Sequence, residues 1–469
     1  MRKTSILIIA LSAALAGCSL MPDYQRPELP VAAQWPQSNQ PDGARKATGL
    51  DWRAYFPDQR LQHLIVAALE HNRDMRIAAA RVEEARALHG IVRADRLPSV
   101  DLAVSGASSL TPGDLSLTGK PLIGHRYDVA FSVLSFELDF WGRVKSLNEA
   151  ALASFLATEE AKSALRLSLI ADVANAYLTL LEMEERTALA RETVRSREET
   201  RAMVGKRREV GLAGDLDYLQ ADGAYQLALA DLANLERQRA AGENALTLLV
   251  GQQSAKLPNL PKGRPLAEQG IVPDLAVETP SEVLLRRPDV LAAEKRLIAA
   301  NANIGAARAA FLPRITLMLG LGTASSALSG LFEGGSKAWS FQPVLRQPLF
   351  DGGRTTANYD LAEVRKIIAV GEYEKTIQQA FREVADLFAA RAYLAEQLQA
   401  QLTVEKHQSG RLRLAEARYK AGISSYLEVL DAQRDAYAAQ QGTAQTRRAQ
   451  LSAAAQLYKA LGGSGNEEK

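Results

Sequence analysis

The amino-acid sequence contains one pattern twice, and this internal repeat strongly limits the folds that the chain can adopt. The segment Asp74–Pro98 aligns without a gap on the segment Asp289–Pro313. From Arg143 onward, the matching residues of the second copy follow at a constant offset of 211 residues. Matching glycines and prolines in both alignments indicate a duplicated fold. Each copy is predicted to contain a helix, two strands, a long helix, a turn and a second long helix.

The predicted long helices are unusually long for a globular domain. Val144 to Val204 contains neither glycine nor proline, and leucine, alanine and valine recur at spacings of three and four. One helix over this segment would reach roughly 90 Å. In the second copy, Gly371 and Gly410 are the main weak points after Pro348. We expect helices of this length to pair side by side in an elongated coiled assembly.

Short segments between the predicted helices alternate between apolar and small or polar residues. The alternation has period two and covers residues 100–105, 128–133, 315–322 and 339–345. Such strands fit a transmembrane β-barrel with a watery lumen, although an ordinary half-buried sheet would give the same pattern. Four strands cannot close a barrel, and lipid does not tolerate an open sheet edge. If the sheet is a barrel, two or more chains must therefore contribute to it.

The first residues have the features of an export signal. Arg2 and Lys3 precede a short apolar run, which ends in Leu-Ala-Gly-Cys at Cys18. This order resembles a bacterial lipobox, in which Cys18 becomes the lipidated first residue of the mature protein. By resemblance to lipoprotein sorting rules, Ser19 favours the outer membrane over the inner membrane. The alternative is a plain signal peptide followed by a chance cysteine.

Composition and residue spacing argue against several classes of function. The net charge of +2 gives no electrostatic case for a nucleic-acid partner. The five histidines are scattered without metal-ligand spacing, and the only cysteine is assigned to lipid, so no Cys–His nucleophile remains. No glycine-rich segment follows a strand and opens a helix, as a P-loop must. We therefore expect no enzyme, no cofactor and no metal site.

Several longer motifs together resemble one known family. They are LLRRPDVLAAE, NANIGAARAAFLPRI, PLFDGGR, FELDFWGR and SYLEVLDAQRD. They resemble the outer-membrane efflux lipoproteins of the TolC and OprM type, over nearly the whole mature chain. The resemblance implies an α+β membrane protein that forms a homotrimer. Four strands per chain would build a transmembrane β-barrel of twelve strands, and the long helices would build an α-helical coiled-coil barrel.

The resemblance also implies a location, partners and a domain organisation. The protein would span the outer membrane, be anchored there by N-terminal acyl groups such as palmitate, and keep most of its mass in the periplasm. It would be the exit duct of a tripartite pump with a periplasmic adaptor and an inner-membrane transporter of the resistance-nodulation-division class. The predicted parts are a signal peptide (1–17), a lipidated N-terminal segment with an equatorial part (18–73), the first repeat (74–251), a proline-rich equatorial linker (252–288), the second repeat (289–463) and a flexible tail (464–469).

The two turns at Val210–Gly214 (VGLAG) and Ala421–Ser425 (AGISS) match the periplasmic tips of this family, which meet the adaptor. Their glycines allow the sharp turn with positive φ that a side chain would disfavour. The resemblance assigns adaptor contact to Val210, Gly211, Leu212, Ala421, Gly422 and Ile423.

The helix after the second turn matches the part of the family that closes the tunnel. Leu427 matches a leucine ring at the constriction, and Asp431 matches an acidic ring. Glu428 sits where some members carry a further carboxylate. The residues matched to a latch of the closed state are Tyr419 and Arg434, with Asp217 as a further candidate partner.

Simple electrostatics fits an acidic ring but does not require one. Three copies of Asp431 in a narrow lumen would repel each other by about 4 kcal/mol per pair at about 4 Å and an effective ε of about 20. Such a ring needs partners such as Arg434, bound cations or partial protonation. The alternative is that Asp431 and Glu428 are solvated helix positions and that Leu427 belongs to an interhelical core.

Two other functions and the cargo stay open at this stage. The chain could be an exit channel for type I protein secretion, or a structural envelope lipoprotein without a pore. The lipobox and the PDYQRP start resemble the efflux branch. The sequence resembles drug-efflux and copper/silver-efflux ducts alike, with SYLEVLDA and Glu428 slightly closer to the latter. No cluster of methionine or histidine supports metal handling in the lumen.

Overall fold

The computed structural model describes residues 19–36, 45–46, 51–252, 260–271, 275–276 and 280–463. The predicted signal peptide, the lipidation site Cys18 and the tail 464–469 lie outside the described residues, as do parts of the predicted linker 252–288.

The described elements follow the same order in both copies. The first part of the chain contains β1 (Arg45–Lys46), α1 (Trp52–Tyr55), α2 (Gln59–His71), α3 (Arg73–Ala94), β2 (Asp101–Thr111), β3 (Leu122–Glu137), α4 (Arg143–Glu209) and α5 (Asp215–Val250). The second part contains β4 (Leu275–Ala276), α6 (Pro280–Leu284), α7 (Pro288–Ala309), β5 (Arg314–Ser325), β6 (Lys337–Arg346), α8 (Arg354–Lys420) and α9 (Tyr426–Ala460). Short 3-10 turns occur at Leu266–Glu268 and Leu328–Gly330.

The two longest helices, α4 and α8, each contain 67 residues. Helix α8 continues through Gly371 and Gly410, the two predicted weak points. A helical glycine costs about 1 kcal/mol relative to alanine, and tertiary packing readily offsets so small a cost. Mainly helical structure with an antiparallel sheet is thus confirmed.

The four longer strands form one antiparallel sheet in the order β2-β3-β5-β6. β2 and β6 are therefore its edges. Pro343, which has no N–H donor, lies in β6 opposite Leu317 of β5. A register shift between Val133 and Phe136 interrupts the pairing of β3 with β5. The smaller sheet pairs β1 with β4 in parallel.

The two faces of the four-stranded sheet differ in side-chain size. One row across the first face consists of Leu102, Phe131, Leu321 and Trp339, which pair in register. These four side chains are 61%, 61%, 69% and 78% exposed, so this chain leaves its apolar row largely uncovered. The adjacent row on the second face consists of Ala103, Ala130, Gly322 and Ala338. The alternation seen in the sequence therefore places large apolar side chains on one face of the sheet and small side chains on the other.

Two glycines of β5 provide a sharp test of the sheet register. A Cβ at Gly322 would lie 2.0 Å from the carbonyl oxygen of Val129, whereas a Cβ at Gly320 would meet the hydroxyl of Ser340 at 2.7 Å. Backbone cannot move aside easily, but a serine side chain can rotate. We expect Gly322→Ala to lower the stability by about 3 kcal/mol and Gly320→Ala by less than about 1 kcal/mol. Thermal melting followed by circular dichroism measures both; equal losses would contradict this register.

The described chain divides into two compact units, and each contains segments from both copies. The first unit comprises the described residues 19–28, 81–159 and 292–373, and the second comprises the other described residues. Residues 143–159 of α4 belong to the first unit and the rest of α4 to the second. The compact units are therefore not the sequence repeats.

In the first unit, the N-terminal segment (residues 19–28) packs along one face of α7. Arg26 donates two hydrogen bonds to the buried carboxylate of Glu294, at 2.7 and 3.0 Å, and the Tyr24 hydroxyl donates a third at 3.0 Å. Asn301 donates to the carbonyl oxygen of Pro22 at 2.7 Å. Burial, together with the hydrogen bond to Glu294, raises the pKa of Tyr24 well above its usual range. These bonds attach the segment that follows Cys18 to α7.

In the second unit, a buried carboxylate joins three parts of the chain. Asp58 is 1% exposed and caps α2 by accepting from the Arg60 N–H at 2.8 Å. It also accepts from the Tyr177 hydroxyl at 2.8 Å, the Gln269 amide at 3.0 Å and the Arg264 N–H at 3.0 Å. Burial alone would raise the pKa of Asp58, but these hydrogen bonds outweigh it and lower the pKa below its usual value.

Candidate functional site at the helix ends

Helices α4 and α8 end in the same hydrogen-bonding pattern. At the end of α4, the Gly211 N–H donates to the Arg208 carbonyl at 3.0 Å, and the Leu212 N–H donates to the Arg207 carbonyl at 2.7 Å. This is a Schellman motif, which needs a residue with positive φ at its turn. Gly211 has φ +74° and Gly422 has φ +72°. The equivalent bonds at the end of α8 join Gly422 to Tyr419 at 3.0 Å and Ile423 to Arg418 at 2.9 Å.

The start of α5 uses acidic residues to satisfy its N-terminus. The Gly214 N–H donates to the Asp217 carboxylate at 3.2 Å, and Asp215 forms an ion pair with Arg208 at 2.6 Å. Negative charge in the first turn of a helix is favourable. The structure thus places Asp217, the candidate latch partner, at the cap of its own helix.

The four helices pack around a small apolar core just behind the two turns. This tip core consists of Val204, Ala221, Ala415, Tyr426, Val429 and Ala432, from α4, α5, α8 and α9. Burial raises the pKa of Tyr426 to about 12. In contrast, large apolar residues on the turns and at the start of α9 are exposed: Val210 (69%), Leu212 (70%), Ile423 (70%) and Leu427 (53%). The tip core holds the turns together and leaves these side chains available for contact.

One contact joins the end of α4 directly to the end of α8. The Arg207 guanidinium donates to the Tyr419 hydroxyl at 2.9 Å and lies 5.8 Å from the centre of its ring. The Tyr419 ring in turn lies 5.7 Å from that of Tyr426 in the tip core. Tyr419, which was matched to the latch, therefore links the two copies of the repeat within one chain.

The carboxylates at the start of α9 each have an arginine partner. Arg418 lies 3.3 Å from Glu428 across the turn, and Arg434 lies 3.3 Å from Asp431 on the same helix. Both carboxylates are partly exposed, at 38% and 42%. Arg434 is thus the partner that sequence reasoning expected for Asp431, but its contacts stay within α9.

A third carboxylate, Asp435, ties α9 to α8. It accepts from Arg411 of α8 at 2.7 Å and from Arg434 at 3.0 Å. These two hydrogen bonds, Arg411 first, lower the pKa of Asp435. The acidic face of α9 is therefore held by arginines from two helices.

Of the arginines that hold the tips, Arg434 was predicted from the sequence, whereas Arg207, Arg411 and Arg418 were not. Arg207 and Arg418 occupy equivalent positions of the two copies, since 418 minus 207 is the repeat offset of 211. This equivalence was a usable signal. Arg411 and Asp435 carry no such signal, because only the folding of the α8–α9 hairpin brings them together.

Buried polar contacts continue along α4 and α9 beyond the tip core. The Glu182 carboxylate accepts from Arg186 at 3.0 Å and from Arg448 at 2.8 Å, and Tyr437 hydrogen-bonds to Asp231. Within the described ranges, no group of three histidine, cysteine, aspartate or glutamate side chains could hold a metal ion. The site thus offers ion pairs between helices and exposed apolar tips.

Nearly the whole chain is similar to known proteins. The family model described as outer membrane efflux protein matches residues 64–252 and 279–463. The toluene efflux pump outer membrane protein TtgF of Pseudomonas putida is 46% identical over 473 residues, which cover 98% of this chain and 97% of that protein. The antibiotic efflux pump outer membrane protein ArpC of Pseudomonas putida is 42% identical over 471 residues, which cover 99% and 96%.

Among solved structures, the chain is similar to the open state of the MtrE outer membrane channel of Neisseria gonorrhoeae. The identity is 38%, the TM-score is 0.87, and the match covers 95% of this chain and 98% of that one.

Proposed function

Because this chain belongs to the outer membrane efflux protein family and is the outer-membrane component of an efflux pump, we propose that it is a passive duct gated at its helix ends. It receives cargo from an inner-membrane pump through a periplasmic adaptor and releases it outside the cell. The exposed apolar turns at Val210–Leu212 and Ala421–Ile423 are the proposed adaptor contacts.

The proposed cargo is small toxic organic compounds. The names of TtgF and ArpC refer to efflux of toluene and of antibiotics, and both proteins are similar to this chain along nearly its full length. The duct need not select among compounds, since the pump can do so. Metal ions are the alternative cargo, and the described residues offer no cluster that would bind them.

The sheet is the observation that carries the duct proposal. Its apolar row is uncovered, and β2 and β6 each leave one edge unpaired within the chain. An apolar outer face and a closed ring of strands are what a β-structure needs in lipid. Three chains would close a barrel of twelve strands by pairing β6 of one chain with β2 of the next.

Native mass spectrometry of detergent-extracted protein tests both the trimer and the anchor. We expect a species of three chains, each starting at Cys18 and carrying the mass of N-terminal acyl groups. The Cys18→Ser variant should lack the acyl mass. A monomeric extract would argue against the shared barrel, and an unmodified Cys18 would argue against the lipid anchor.

We further propose that Leu427, Glu428 and Asp431 line the closed gate, with Tyr419 and Arg434 helping to hold it. Leu427 is exposed on the same stretch of α9 as the two carboxylates, which suits a residue that meets its symmetry copies. Three carboxylates of one kind in a narrow opening would favour cations.

Planar-bilayer recordings with Asp431→Asn, Glu428→Gln test this gate. We expect the wild type to have a small, cation-selective conductance, and the double variant to lose most of that selectivity because the fixed negative charge is gone. The charge-matched control is Asp360→Asn, Glu372→Gln, which removes two carboxylates from α8 in the other compact unit. Unchanged selectivity in the tip variant would move the gate away from these carboxylates. Absence of any conductance from assembled protein would contradict the duct itself.

A further inference from the structure

A groove of about 400 Å³ lies within the first compact unit, between α4, α7 and α8. Buried Ala299 and Ala362 lie among its lining residues, and none of these residues is acidic. Its polar side chains are Ser154, Arg296, Asn303, Asn358 and Arg365. The groove is therefore basic, and it offers amide donors beside two guanidiniums, whereas the Ser154 hydroxyl already donates to the Ala150 carbonyl at 2.8 Å.

The two guanidiniums of the groove are available for a ligand. Neither Arg296 nor Arg365 has an ion-pair or hydrogen-bond partner within the part of the chain that the structure describes. Two acids of the same helices are engaged elsewhere: Glu363 lies 3.5 Å from Arg308, and Glu294 binds Arg26. Two arginines that share a concave site without a carboxylate favour an external anion.

The groove lies on the opposite side of α7 from the N-terminal segment. Glu294 and Asn301 of α7 bind the N-terminal segment. The groove residues Arg296 and Asn303 each lie two positions further along the same helix. Two positions correspond to a rotation of about 200° around a helix. If the N-terminal segment follows a lipid anchor in the surrounding membrane, its side of α7 is the outer side. The groove then faces the lumen, an orientation that rests on the proposed function.

We propose that this groove binds the carboxylate or phosphate group of soluble anionic solutes as they pass through the duct. Arg296 and Arg365 supply the charge, and Asn303 and Asn358 supply amide donors. The forked donors of arginine fit both anions, because a carboxylate presents two oxygens in a plane and each edge of a tetrahedral phosphate also presents a pair of oxygens. Because the groove is open to solvent, we expect weak binding, with a dissociation constant on the order of 1 mM. Weak binding suits a site that solutes must leave.

Inorganic phosphate and citrate are suitable probes, with the melting temperature of the full-length protein in detergent as the readout. A ligand that binds only the folded protein raises its melting temperature. At constant ionic strength, the wild type should gain more stability from either probe than the Arg296→Gln, Arg365→Gln variant, with apparent affinity at least about tenfold weaker in the variant. The matched control is Lys295→Gln, Lys366→Gln, which removes the same charge one residue away on the same helices.

The control variant also corrects for the general stabilising effect of phosphate on folded proteins. It should respond like the wild type. Equal responses of all three proteins would overturn the anion site. A third series with phosphatidylglycerol in the micelle distinguishes the source of the anion: an arginine-dependent response to this lipid alone would overturn the proposed soluble ligand. None of these measurements requires conduction, so a failed anion site and a failed duct give different results.

Discussion

The double variant Arg207→Gln, Arg418→Gln should spend a far larger fraction of time in the open, conducting state than the wild type. Each arginine holds one contact at the tips, Arg207 to Tyr419 and Arg418 to Glu428. These contacts are partly exposed, so each would contribute at most about 1 kcal/mol to the proposed closed state. Losing both would raise the ratio of open to closed molecules up to about 30-fold. Single-channel recordings in planar bilayers measure this ratio directly.

Arg208→Gln is the matched control for this experiment. Arg208 is adjacent to Arg207 and pairs with Asp215 at the beginning of α5, within the same copy of the repeat. Its loss removes one positive charge and one ion pair within a copy, as the loss of Arg418 does, but it leaves the Arg207–Tyr419 contact between the two copies in place. We expect little change in the open fraction. If the control opens the duct as much as the double variant does, loss of positive charge rather than loss of the contacts would be the cause.

Asp58→Ala should strongly weaken the second compact unit. The substitution leaves the Tyr177 hydroxyl, the Gln269 amide and the Arg264 N–H without their shared acceptor. Unsatisfied buried donors cost about 1–3 kcal/mol each, so a loss of at least about 3 kcal/mol is expected. Hydrogen exchange in Gln59–His71 should become faster by more than about a hundredfold. Mass spectrometry of peptides from α2 measures this rate.

Asp51→Ala separates this network from simple helix capping. Asp51 caps α1 through the Arg53 N–H at 3.0 Å, much as Asp58 caps α2, but among the described residues no distant segment donates to it. We expect the free energy of unfolding to fall by about 1 kcal/mol, which corresponds to hydrogen exchange that is about fivefold faster. A similar effect of both substitutions would mean that the buried donors find other acceptors.

The lowered pKa of Asp58 also predicts a dependence on pH. Because the folded protein favours the ionised form, the carboxylate stabilises the fold fully above its unfolded pKa of about 3.9. This contribution is lost as the pH falls through the lower pKa of the folded state. Acid should therefore accelerate exchange in α2 of the wild type more than in the Asp58→Ala variant, once the intrinsic effect of pH on exchange is removed.

Local patterns were sufficient to predict the elements of this fold. The glycine-free run from Val144 predicted α4, and alternation predicted the strands β2, β3, β5 and β6. Gly211 and Gly422 predicted the two turns, because only glycine adopts positive φ there without strain. Helix α8 shows the limit of such signals, since Gly371 and Gly410 lie within a continuous helix.

Partners distant in the sequence could not be predicted in this way. Arg207 could have paired with any nearby acid, and its contact with Tyr419 depends on how two hairpins pack. Asp58 collects donors from residues 177, 264 and 269, and no spacing rule relates these positions. The unpaired arginines of the groove became visible only when their neighbours were known.

Periodicity, turn residues and the internal repeat are properties of neighbouring positions, so the order and type of the elements could be read directly from the residues. The sheet register and the choice of ion-pair partners depend on three-dimensional packing, because the local sequence does not distinguish among the many arginines and acids that could pair. Steric fit between backbones, as at Gly322, and the burial of donors around Asp58 select one arrangement among these competitors.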